Sequence, residues 1–247
     1  MSLRNILSKA LSNGKDISTD YWYLAAISAI ASANHPKDVE CLYNVIYEYI
    51  NRLPDKSQTE KDQLMANIVL KLREGALKSH SIIGFPKVCM NSYRKFYINA
   101  WQTMNVLKQL ADITPDYIKS LLPTKPLRDE DNWSDVLYYR RAGEDLFNQT
   151  YGPLSEKTYQ GIYDSHPDLA YVALYFHYGT IYGELSIVSA KETSLILVTT
   201  TMIQNVLPQL RSHRIGAIHN GATEQEIKDV ESLVVELANY YNLPIAD

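Results

Sequence analysis

The stretch Gln209-Leu-Arg-Ser-His213-Arg-Ile-Gly-Ala-Ile-His-Asn-Gly221-Ala-Thr-Glu-Gln-Glu226 holds two helix signals separated by a turn signal. On a helix, Val206, Leu210, His213 and Ala217 recur at three- and four-residue steps and fall along one stripe. Asn220-Gly221 then breaks the chain. Thr223-Glu-Gln-Glu226 has capping-box spacing, in which a hydroxyl and a carboxylate satisfy orphan amides at a helix start. The stretch reads as helix, tight turn, helix, with an ionisable ring set among apolar side chains.

Outward from it, the same period of three to four holds almost throughout, and alternating runs bounded by turn signals are scarce. This predicts an all-α protein, with helices over 18–33, 37–53, 58–82, 86–111, 114–121, 132–150, 155–163, 167–183, 190–204, 207–219 and 224–241. The breaks fall at Asn34-His35-Pro36, Gly84-Phe85-Pro86, Pro123 to Pro126, Gly152-Pro153 and Asn220-Gly221. Capping-box spacing recurs in Ser189-Ala-Lys-Glu192 and Ser57-Gln-Thr-Glu60, and the likeness of the segments opening at Ser57 and Thr223 hints at duplication. Pro123-Thr-Lys-Pro126, followed by Asp129-Glu130-Asp131, reads as a linker near residue 125 between halves 16–125 and 126–247.

A chain of 247 residues can bury a sizeable core, and we expect one compact unit built from two related halves. The 19 tyrosines fit many half-buried helix faces with polar tips. A net charge of -4 with no basic stripe argues against nucleic-acid binding. Cys41 and Cys89 lack metal-ligand spacing and read as reduced core residues, and no close histidine pair with a carboxylate suggests a metal. The apolar run Tyr21 to Ala33 is too short to cross a bilayer, so no membrane insertion is expected. Residues 1–15 carry Arg4, Lys9 and Lys15 without an acid, and place Leu3, Ile6, Leu7 and Leu11 on one helix face. That pattern fits either a mitochondrial presequence or a helix docked on the core. With Pro244-Ile-Ala-Asp247 unlike a Ser-Lys-Leu address, the expected location is the mitochondrial matrix or cytoplasm, with the peroxisome less favoured.

A helical His213 followed by Gly-Ala, Asn220-Gly-Ala-Thr223 and an acidic helix start resembles the carboxymuconolactone decarboxylase and alkylhydroperoxidase D-like families. Supporting residues run upstream through Arg141-Ala-Gly-Glu144, Tyr151-Gly152, His166-Pro-Asp-Leu169 and Tyr178-Gly179 to Glu192. In the first half, Glu74 and the later Gly84-Phe-Pro86 are similar to the family's Glu and Gly-x-Pro element. The resemblance implies an alkylhydroperoxidase D-like helical fold, duplicated within the chain, and a homo-oligomer. It pairs Glu192 with His213. It further implies cofactor-free acid–base chemistry of lyase type, decarboxylation or isomerisation, on a small carboxylate or lactone. His213 would be acid or base, Glu192 and Glu74 would orient it or relay protons, and Arg211 or Arg214 would hold the substrate carboxylate beside Tyr178 and His80. The family's peroxidase branch needs Cys-x-x-Cys where Val206 and Gln209 stand, which argues against thiol peroxidase chemistry.

Plainer readings stand beside these. Glu192 is explained by its capping box, His213 by a satisfied core or interface site, Glu74 by a salt bridge, His80 and His219 by local backbone contacts, and Tyr178 by the core. The competing function is a degenerate, non-catalytic binding or assembly module. The enzyme reading requires His213 and at least one of the two glutamates to line a common cavity.

Overall fold

The computed structural model describes residues 1–14, 16–83, 102–125, 128 and 136–245. The helix expected over 86–111 lies partly, and Cys89 wholly, outside the described residues. Among the described residues the regular structure is entirely helical. In chain order come α1 (Leu3–Asn13), α2 (Trp22–Ala33), α3 (Val39–Asn51), α4 (Gln58–Ile83), α5 (Gln102–Ile113), α6 (Asp116–Lys119), α7 (Val136–Tyr151) and α8 (Ser155–Ser165). Then α9 (Pro167–Tyr171) runs into a π-wound segment, Val172–Tyr182, before α10 (Ala190–Ile203), α11 (Leu207–His219) and α12 (Glu224–Tyr240).

The centre is built on α2 and α10. A helix that is apolar on every side must be buried, and α2 is buried from Trp22 through Ser32, α10 from Glu192 through Ile203. The two touch each other, and both touch α4 and α12. Two threonine hydroxyls on α10 are satisfied by its own backbone: Thr200 Oγ1 donates to the Ile196 carbonyl and Thr201 Oγ1 to that of Leu197, each at 2.7 Å. Capping boxes form at Ser189 on α10 and at Thr223 on α12, and Gly221 takes φ +92° in the turn before α12, a conformation glycine adopts without strain.

The amphipathic segment 1–15 enters this core as α1, whose Leu3, Ile6 and Leu7 are buried and which packs on α3 and α12. One apolar cluster takes side chains from Leu3 to Ile118 and again from Val188 to Tyr241, so it spans the expected boundary near 125. No helix of the described residues is long and apolar enough to cross a membrane.

A second layer is formed by α7 against the π segment. They meet at glycines: a Cβ on Gly143 would sit 2.6 Å from the Leu174 carbonyl oxygen and 2.7 Å from the Gly179 nitrogen, closer than any side chain tolerates. Beneath this crossing, Leu146, Phe147, Leu174, Tyr178 and Tyr182 cluster with Leu197 of α10. Phe147 and Tyr178 meet edge to face at 5.0 Å, and Tyr178 and Tyr182 at 5.2 Å. The sequence predicts an uninterrupted helix over 167–183, but the structure winds 172–182 with wider turns. At its end the Gly183 amide donates to the Tyr178 carbonyl five residues back at 2.7 Å.

Candidate functional site

The first charged centre lies where α4 meets the end of the π segment. The last carbonyls of any helix lack intrahelical donors and carry the negative end of its dipole, so buried cations are favoured there. Lys78, fully buried on α4, donates to the carbonyls of Ile181, Tyr182 and Glu184 at 2.9, 2.8 and 2.8 Å. All three ammonium hydrogens are thereby used. Arg128 donates through Nε to the Thr180 carbonyl at 2.5 Å and through Nη2 to that of Ile181 at 3.1 Å.

Glu74, one turn before Lys78, balances both cations. Arg128 grips it with two prongs, Nη2 to Oε1 at 2.5 Å and Nη1 to Oε2 at 3.2 Å, while Lys78 Nζ lies 3.7 Å from Oε1. Burial draws the Lys78 ammonium down to about 7, with Glu74 pulling in the opposite direction. Glu74, predicted as a proton relay, is thus held in an electrostatic staple that closes a helix end.

The second centre is Glu192, at the start of α10. Its Oε2 accepts from the Ser189 amide at 2.8 Å and the Ser189 hydroxyl at 3.0 Å, while the Glu192 amide donates to Ser189 Oγ at 3.2 Å. Its other oxygen accepts from Lys71 Nζ of α4 at 2.7 Å. Both carboxylate oxygens are therefore engaged, and His213 is not among their partners.

His213 forms the third centre, alone. Its stripe is as predicted from Leu210 to Ala217, both fully buried beside a His213 that is 7% exposed, while Val206 caps the helix start and is half-buried. No hydrogen bond or ion pair reaches that ring among the described residues. Burial alone depresses its pKa to about 4, so it is neutral at physiological pH. A carboxylate neighbour would push the other way, and none among the described residues contributes.

The remaining predicted residues have partners or surroundings of their own. Arg211 is exposed on α11, while Arg214 is bridged to Glu231 of α12. Tyr178 sits inside the aromatic cluster, where its hydroxyl is buried without a hydrogen bond in good geometry and faces the Tyr151 phenol. The His80 Nδ1 lies 2.7 Å from the Leu77 carbonyl. His219 Nδ1 lies 3.1 Å from the Thr150 carbonyl. The three predicted catalytic groups thus make separate contacts.

Sequence reasoning missed Arg128, Lys71 and Lys78. The Glu74–Lys78 spacing of four residues was a readable pairing signal. The Arg128–Glu74 and Lys71–Glu192 pairs join distant parts of the chain and leave no local trace.

No protein-family profile and no solved structure matches the chain. Two curated proteins are similar to it along most of its length. Peroxisomal protein 2 of Schizosaccharomyces pombe is 27% identical over 216 residues, which cover 87% of this chain and 84% of that protein. Peroxisomal protein 2 of Saccharomyces cerevisiae is 23% identical over 263 residues, covering 89% and 88% respectively. These names point to an organelle and not to a decarboxylase, which overturns the expectation of decarboxylation or isomerisation on a small carboxylate or lactone. Among the described residues His213, Glu192 and Glu74 share no hydrogen bond or ion pair, so no acid–base pair joins them. The mitochondrial or cytoplasmic location expected from residues 1–15 has no support from these relatives, and the amphipathic face that prompted it is accounted for by the docking of α1.

Proposed function

We propose that this chain is a peroxisomal protein whose buried ionisable residues serve its architecture. The observation that carries the reading is its likeness to two proteins named Peroxisomal protein 2, extending over 87% and 89% of the chain. The contacts of Glu74, Glu192 and His213 agree with it: two carboxylates are saturated by structural partners and the histidine is neutral and isolated. A fluorescent protein fused to the N-terminus tests the location. The fusion should overlap a peroxisomal marker in puncta, and a mitochondrial or diffuse distribution would contradict the proposal.

On this reading the ancestry lies with carboxymuconolactone decarboxylase-like helical proteins, through duplication of one helical unit. Its support is the matched opening of α4 and α12, where the Ser57 amide donates to Glu60 Oε2 at 2.8 Å and the Thr223 amide to Glu226 Oε2 at 2.7 Å. An experimental structure whose halves, 16–125 and 126–247, fail to superpose would remove the duplication.

A further inference from the structure

The inner edge of the π segment, Leu174, Tyr178 and Tyr182, is buried in the aromatic cluster beneath α7. Its outer edge is equally apolar. From Leu169 to Gly183 the sequence contains no Asp, Glu, Lys or Arg, and a helix that is apolar all round is one that is covered all round. Yet Leu169, Tyr171, Val172 and Phe176 are 53%, 53%, 38% and 44% exposed.

These four side chains form one ridge. Leu169, Val172 and Phe176 follow one another at steps of three and four residues along the end of α9 and the start of the π segment. The Tyr171 ring lies 6.0 Å from that of Phe176 and 4.8 Å from that of Tyr175. At typical side-chain areas the ridge exposes roughly 350 Å² of mostly apolar surface, the size of patch that marks an interaction site on a monomer.

Charge and area select the occupant. Beside the ridge, the Arg140 guanidinium stacks 4.5 Å over the Tyr175 ring and pairs with Glu144 at 3.4 Å, while Asp168 immediately precedes Leu169. This border lacks the cationic excess of a helix that lies on a lipid surface. Transient interfaces between different proteins are only about as apolar as ordinary surface, whereas homodimer interfaces are richer in apolar area. A standard interface takes about 800 Å² from each partner, of which roughly 500 Å² is apolar in a homodimer, and the ridge supplies about two thirds of that. A second copy brings an equally uncharged ridge, so apolar side chains meet without desolvating an ion.

We infer that this chain forms a two-fold homodimer in which the ridges of two copies pack across the axis, with Tyr171, Val172 and Phe176 at the contact.

The test is light scattering on the full chain after size exclusion, across micromolar concentrations. The parent should show twice the chain mass of 28.2 kDa. Phe176→Glu and, as a second variant, Val172→Glu should each raise the dissociation constant by about 25-fold or more. Val235→Glu, at a 37% exposed apolar site on α12, should leave the dimer intact. Circular dichroism verifies that each variant is folded. A monomeric parent, dimers that persist in folded Phe176→Glu and Val172→Glu, or equal dissociation by Val235→Glu would overturn the inference. A monomeric parent that floats with phosphatidylcholine vesicles would overturn it in favour of lipid.

Discussion

Replacing Glu74 by Gln keeps the side-chain volume and removes a carboxylate that Arg128 and Lys78 share. Glu74 is 5% exposed and the Arg128 side chain 15%, so little solvent reaches the gap. Breaking a buried ion pair by removing one partner costs about 3 to 5 kcal/mol, because the other charge stays buried without its counterion. At about 2 to 4 °C per kcal/mol for a chain of this size, the melting temperature should fall by roughly 6 to 20 °C. Urea denaturation gives the free energy directly, with the m-value checked for constancy. Arg128→Met added to Glu74→Gln should cost less than the sum of the single changes, with a coupling of about 1 kcal/mol or more. A loss below about 1 kcal/mol for Glu74→Gln would show a hydrated, weak pair and refute the staple at the end of the π segment.

His213 makes stability depend on acid. Its folded pKa, about 4, lies below the unfolded value of 6.5, so the unfolded chain takes up a proton first as pH falls. The stability present above pH 6.5 is then lost on acidification, by about 2 kcal/mol between pH 7 and pH 5 and about 3 kcal/mol in all below pH 4. His213→Leu should abolish that part of the pH dependence in urea titrations, and an unchanged slope would contradict the isolated, buried ring. Gly143→Ala forces a methyl against the Leu174 carbonyl and should cost about 1 to 3 kcal/mol, read as a lower melting temperature. Ser189→Ala removes the hydroxyl of the α10 capping box and should cost about 1 kcal/mol, whereas Ser189→Thr should largely retain it.

The helical fold was legible wherever local chemistry decides. The three- and four-residue spacing of Leu210, His213 and Ala217 gave the buried stripe of α11, and Ser57, Ser189 and Thr223 marked helix starts whose capping bonds are all present. The π winding over Val172–Tyr182 was not legible, because a segment apolar on nearly every side carries no period to distinguish wide turns from ordinary ones.

The candidate site divided along the same line. Burial of Glu74 and His213 followed from their places among apolar neighbours, yet their partners did not. Lys71 comes from α4 to take the free oxygen of Glu192, and Arg128 comes from beyond the proline-rich segment to take Glu74. Each pairing was set by the tertiary arrangement, and each removed a carboxylate that sequence order had assigned to His213.

Among the described residues no carboxylate bonds to His213, and an NMR titration of its ring tests that isolation directly. The chain has six histidines, and His213→Gln assigns the resonance. A midpoint near pH 4 is predicted for a neutral ring depressed by burial alone. A midpoint at or above 6.5, as an adjacent carboxylate such as Glu192 would produce, contradicts it.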